Sequence, residues 1–171
     1  MATRYRAVAR VAKAHGNKGK VVAVPAGGLP ALLREGMHVA LVPPRLRGPR
    51  RAEVLSAEGD DAGQLVSLSG VGDRAASEPL VGTTLLVPVG ELPDDLALRD
   101  ADALVGREVV DPVRGLRATI TEVMRGPAND VWVLACEEPA GAEVLVPVVG
   151  GVVSEVPASG PVPVRVPDGL I

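Results

Sequence analysis

Valine and leucine recur at alternate positions through much of the chain, and short polar or Gly/Pro clusters break the pattern every few residues. Period-two patterning predicts half-buried β-strands. Arg4 to Ala14 sets Arg4, Arg6 and Arg10 against Tyr5, Ala7 and Val11, and is predicted as the first strand. Val21 to Val24, Met37 to Val42, Arg51 to Ala57, Gln64 to Ser69 and Thr83 to Val89 follow as further strands. Leu32 to Gly36 is predicted as one helical turn closed by Gly36. Asp73 to Gly82 is predicted as the one clear short helix, with Asp73 as its N-cap.

A second set of strands is predicted at Val105 to Asp111, Leu116 to Arg125, Val131 to Cys136, Glu143 to Val146, Val152 to Val156 and Val162 to Val166. Gly126 to Asp130 is the turn of a hairpin. Gly90 to Asp95 falls between the two sets and predicts a linker. The expected fold is therefore all-β. A six-stranded barrel occupies residues 1–90, a short linker 91–97, and a second β domain 98–171. Short connections throughout suit a closed barrel, because closure leaves no unpaired edge.

Composition narrows this picture. Phenylalanine is absent, and Trp132 and Tyr5 are the only other aromatics, so the core must be built from Val, Leu and Ala. Twenty glycines and sixteen prolines leave little room for long helices. No apolar run approaches the roughly 20 residues of a membrane span. The basic N-terminus lacks an apolar segment behind it, so no signal peptide is expected. Cys136 is the only cysteine and cannot form an internal disulfide; its apolar neighbours predict a core position. No Cys/His cluster has metal-ligand spacing. A soluble cytoplasmic protein without metal or cofactor is expected.

The net charge of −3 conceals an asymmetry. Residues 1–51 hold eleven Lys/Arg and one acid, Glu35, whereas residues 52–171 hold seven and twenty. Taken over 1–92 the charge is still +4, and over 93–171 it is −7. One half is thus suited to a polyanion and the other is not. All three lysines, Lys13, Lys18 and Lys20, flank the turn His15-Gly16-Asn17. A second basic stretch contains Arg45, Arg47, Arg50 and Arg51. Arginine forks match phosphate oxygens. These residues alone leave two readings open, contact with phosphate or solvated loops whose charges keep an edge soluble.

Catalysis finds little support. His15 and His38 are the only histidines, and His15 is read as packing in the turn rather than as a general base. The Gly70-Val71-Gly72-Asp73-Arg74 stretch lacks the Lys-Ser/Thr ending of a P-loop. Asp94-Asp95 and Asp100 with Asp102 are carboxylate pairs in a presumptive linker, where solvated charge explains them. No nucleophile–base–orienter set is present. A non-enzyme is expected.

Several stretches together resemble the RimM family of ribosome maturation factors. They are Val8 to Val21, with its His15-Gly16 and Lys18-Gly19 steps; Gly70 to Gly82, with Asp73-Arg74; Leu104 to Asp111; Gly126 to Val133; Val144 to Pro147; and Pro167 to Leu170. They occur in the family's order and cover nearly the whole chain. The resemblance implies an N-terminal barrel like that of translation-factor domains and a C-terminal PRC barrel. It also implies a non-catalytic assembly factor, with no cofactor, that binds the head of the maturing small ribosomal subunit and assists 3′-domain rRNA maturation. The implied partners are the nineteenth small-subunit protein and nearby ribosomal RNA, with no membrane, for a monomeric protein. With the resemblance added, Lys13, His15, Lys18, Lys20, Arg45, Arg47, Arg50 and Arg51 are assigned to RNA. The acidic C-terminal domain better suits a basic ribosomal protein.

One segment departs from the family. Arg99-Asp100-Ala101-Asp102-Ala103 stands where the family has Tyr-Tyr-Trp-His-Asp. No protein-contact residues are assigned there, because an aromatic pair would supply much of such an interface. The alternative function is a protein-binding β-barrel adaptor without RNA contact, and a further rival is an RNA hydrolase.

Overall fold

Alternation of buried and exposed side chains begins at the first strand. The structure, a computed structural model, describes residues 2–170. The chain divides into two compact units, the first ending at Pro93 and the second starting at Asp94.

In the first unit, β1 (Tyr5–His15), β2 (Lys20–Pro25), β3 (His38–Val42), β4 (Arg51–Asp60), β5 (Gly63–Leu68) and β6 (Thr84–Pro88) form a ring. The order is β1-β2-β5-β4-β3-β6, and β6 pairs back onto β1, so the barrel is closed. Val8, Val11, Val21, Val39, Val54 and Val66 point into it and are almost fully buried. Each such side chain contributes about 2 kcal/mol of apolar burial. Valine suits this role because its branched side chain fills a pleated surface with few rotamers to lose.

Every pair in the ring is antiparallel. Successive strands around it therefore alternate in direction. The β1–β2 turn, the β3–β4 loop and the β5–β6 crossover must then all leave the barrel at one rim. The β2–β3 and β4–β5 connections leave at the other.

Two local expectations are corrected here. Leu32 to Gly36 is not helical. Its backbone and the adjoining Ala31 are held by side chains from β5 and the β4–β5 turn instead. Gln64 accepts from Leu33 N–H at 3.1 Å and donates to Leu33 C=O at 2.9 Å, and Asp61 accepts from Ala31 N–H at 2.6 Å. The Asp73–Gly82 helix is shorter than expected. It comprises α1 (Arg74–Ser77) and a 3-10 turn at Glu78–Leu80. Asp73 does cap it, accepting from Ala76 N–H at 2.8 Å, but Pro79 has no N–H with which to continue the ladder.

The second unit opens with residues expected in the linker. Leu96–Leu98 forms a 3-10 turn with Leu96 buried. Leu98 C=O accepts from the indole N–H of Trp132 at 3.3 Å. Then α2 (Ala101–Leu104), capped by Asp100, precedes β7 (Glu108–Asp111), β8 (Leu116–Met124), β9 (Val131–Cys136), β10 (Glu143–Pro147) and β11 (Val162–Pro163). The sheet order is β10-β9-β8-β7-β11, so the second domain, expected as a barrel, shows a five-stranded sheet. Trp132, Leu134, Ile120, Val109, Val146 and Leu104 build its core, and Cys136 packs beside them as a free thiol.

Two predicted strands are reduced. Val152 to Val156 retains only a bridge from Val153 to Val164. The N–H groups of Val152 and Val153 both turn back to Val149 C=O, so they cannot enter a ladder. Val162 to Val166 keeps two residues in β11, paired in parallel with β7. Farther on, Val166 N–H donates to the side chain of Asp111 at 2.8 Å, which takes the place of the next ladder bond.

Candidate nucleic-acid interface

The two basic stretches are far apart in sequence, yet the topology puts both on one rim. Lys18 lies in the β1–β2 turn, and Lys20 begins β2 opposite His15. Arg45, Arg47 and Arg50 lie in the β3–β4 loop. The third connection at that rim, residues 69–83, touches both. The turn packs onto it so closely that a Cβ on Gly19 would stand 2.5 Å from Val71 O and 2.7 Å from Asp73 N. Gly19 has φ +79°, a value that only glycine adopts without strain. In the β3–β4 loop, Gly48 lies by the Leu80 side chain, and Pro49 lies by Gly70. Residues 69–83 thus brace the lysine turn and the arginine loop together.

The carboxylates lie elsewhere or are already engaged. Asp60 and Asp61 belong to the opposite rim, where Asp61 holds Ala31. Asp73 caps α1 and Glu78 pairs with Arg74 at 2.7 Å. Among the described residues, none of Lys13, Lys18, Lys20, Arg45, Arg47, Arg50 and Arg51 has a carboxylate oxygen within 4.0 Å. These cations keep their full charge for an outside partner.

Not all the assigned residues share one surface. His15, Lys18 and Lys20 line a shallow depression with Leu65. Lys13 is exposed farther along β1, opposite Val22. Arg47 and Arg50 are exposed on their loop, whereas Arg45 is half-buried and donates to Val81 C=O at 3.1 Å. Arg51 opens onto a separate groove with Tyr5, His38, Glu53 and Glu91. There His38 Nδ1 lies 2.9 Å from Glu91. Burial works against ionisation of Glu91, but hydrogen bonds from His38 and the charges of His38 and Arg34 outweigh it and hold its pKa below the ordinary value.

The second unit treats its arginines differently. Arg125 lies 2.6 Å and Arg99 3.7 Å from Asp130, which is buried. Arg117 meets Glu108 at 2.7 Å, and Arg114 pairs with Asp168. Arg107 is spent on the carbonyls of Pro157 and Gly160. Hydrogen bonding to Glu108, aided by the charges of Glu108 and Glu137, raises the Arg117 pKa above its ordinary value. Asp100, one of the candidate metal carboxylates, is the α2 cap, accepting from Ala103 N–H at 3.4 Å.

The family model of the RimM N-terminal domain matches residues 7–92, which is the whole span of this barrel after its first strand residues. The chain belongs to the RimM family. The ribosome maturation factor RimM of Rubrobacter xylanophilus is 36% identical over 157 residues, covering 90% of each chain. That of Heliobacterium modesticaldum is 31% identical over 176 residues, covering 99% of each. A solved structure of a RimM-type 16S ribosomal RNA processing protein from Pseudomonas aeruginosa is similar at 22% identity and a TM-score of 0.42, covering 94% of this chain and 96% of that one. Membership of RimM carries a role in ribosome maturation. None of the helices described is long and apolar enough to cross a membrane.

One rim residue escapes sequence reasoning. Arg10 is legible only as an outward position of β1. Its guanidinium reaches Gly82, beside Arg45, and nothing in the local pattern signals that encounter.

Proposed function

We propose that this RimM chain is a non-catalytic assembly factor that binds the head of the maturing small ribosomal subunit and assists 3′-domain rRNA maturation. The rim residues His15, Lys18, Lys20, Arg45, Arg47 and Arg50 contact RNA phosphates, with Lys13 farther along β1 and Arg51 on its separate groove. Such contacts position a protein without reading sequence. Selectivity then comes from RNA shape and from a protein partner. The acidic second unit serves as the PRC-barrel domain and docks a basic protein of the subunit head, the nineteenth small-subunit protein. The chain works as a cytoplasmic monomer without cofactor, by binding the correctly folded intermediate more tightly than its competitors.

The observation that carries this reading is the convergence of two basic loops on one rim whose cations, among the described residues, have no carboxylate oxygen within 4.0 Å. Capture of small-subunit assembly particles by the tagged protein tests it. The Lys18→Ala/Lys20→Ala double variant is expected to recover about tenfold less precursor RNA. Equal recovery by the variant removes RNA from the proposal and favours an adaptor. Cleavage of precursor RNA by pure protein with Mg²⁺, abolished by His15→Ala, overturns the non-catalytic reading.

A further inference from the structure

Two guanidinium groups from different elements reach the backbone of Gly82. Arg10 Nη2, from β1, and Arg45 Nη2, from the β3–β4 loop, lie 3.6 and 3.8 Å from the point a Gly82 Cβ would occupy. Bringing two permanent cations to one point without an acid is unfavourable. Among the described residues, neither has a carboxylate within 4.0 Å, and Arg10 makes no side-chain hydrogen bond at all. That same Arg45 Nη2 donates one hydrogen to Val81 C=O at 3.1 Å, while the buried Nε of Arg45 has no partner. The backbone does not supply the missing acceptor. Gly82 itself donates to Val11 C=O at 2.8 Å, which fixes the spot between the two side chains. Gly82 has φ +87°, and its lack of a Cβ leaves open the space that the two forks face.

We infer that Arg10, Arg45 and Gly82 form a built site for one phosphate group, which seats a single backbone phosphate of the RNA. Two planar forks offer several donors to one tetrahedral anion, and the anion cancels their mutual repulsion. The lysines of the β1–β2 turn act as separate point charges, whereas this pair acts as a unit. The inference rests on the proposed RNA contact and adds to it a residue, Arg10, and a stoichiometry of one phosphate for two arginines.

The test uses the full chain and a transcribed 3′-domain rRNA fragment, with affinity measured across a salt series. Arg10→Gln and Arg45→Gln are each expected to weaken binding about tenfold. The double variant should be little worse than either one. Each of the three should lower the slope of log K against log salt by about 0.7, the value for one phosphate contact. Arg45→Lys, which keeps charge but loses the fork, should lose affinity like Arg45→Gln while keeping the native salt slope. Arg10→Gln guards against a folding artefact, since its side chain holds nothing in place. Inorganic phosphate should raise the thermal midpoint of the native chain and not of the double variant. Stabilisation by inorganic phosphate without any change in RNA affinity would mean a free-phosphate site and overturn the RNA assignment. Multiplying losses with a doubled slope change, or no loss in either single variant, overturns the shared site. If the native chain shows no salt-dependent RNA binding at all, the broader RNA reading fails first.

Discussion

Asp111 shows how much one side chain can organise. It is almost fully buried, yet it stays ionised. Burial alone would raise its pKa from 3.8, but backbone N–H groups of Val166, Arg114 and Val113, with the Arg114 charge, outweigh it and the net shift is downward. Its Oδ1 accepts from Val113 at 3.0 Å and Arg114 at 3.2 Å, and its Oδ2 from Val166 at 2.8 Å. The carboxylate therefore closes the β7–β8 turn and ties down the last segment at once. Because its folded pKa is depressed, the stability it supplies is fully present above pH 3.8 and is lost as pH falls through the lower folded value. Asp111→Asn places an amide donor against one of these N–H groups. It should cost about 3 kcal/mol at neutral pH. The deficit should shrink below pH 3.8, as the native carboxyl protonates too. Urea unfolding followed by Trp132 fluorescence reads this directly, since the only tryptophan lies in the same core.

At the scale of elements, the strands were legible and several connections were not. β9 was predicted at its observed bounds because its apolar run ends at turn residues on both sides. β11 was over-predicted, because alternation cannot show that a side chain, Asp111, replaces the ladder. The helical turn at Leu32 failed for a similar reason: Gln64 and Asp61, distant in sequence, supply its hydrogen bonds. The candidate interface divides the same way. Its two basic stretches stand out in the sequence, but their common rim follows from strand order, which no local pattern contains. The β1–β2 turn depends on its seat against residues 71–73. Gly19→Ala should cost about 3 kcal/mol, from positive φ and from overlap with Val71 O. Gly16→Ala also meets a positive φ, but nothing lies within 4 Å of its Cβ position, so about 1 kcal/mol is expected. Chemical denaturation of both variants checks the difference. A Gly19→Ala protein as stable as Gly16→Ala would show that the turn is not seated there.

Across the whole molecule, charge is sorted by how it is used and not merely by sign. Among the described residues, the first unit leaves the lysines of its β1–β2 turn and the arginines of its β3–β4 loop without a carboxylate within 4.0 Å, and the second pairs Arg99, Arg114, Arg117 and Arg125 with its own carboxylates. A count of residues shows the imbalance of charge but not this difference in pairing, which needs side-chain positions. Only unpaired cations release counterions when they meet phosphate. Affinity of the full chain for the 3′-domain rRNA fragment should therefore fall about a hundredfold between about 50 and 200 mM salt, as five or so single-strand phosphate contacts require. Lys18→Gln and Lys20→Gln should each take about 0.7 from the salt slope. Arg117→Gln removes the same formal charge from the second unit, where Glu108 already holds that guanidinium at 2.7 Å. Its slope should match that of the native chain. A fall in slope for Arg117→Gln equal to that for Lys18→Gln would mean that net charge alone drives binding, and that the rim has no privileged part in it.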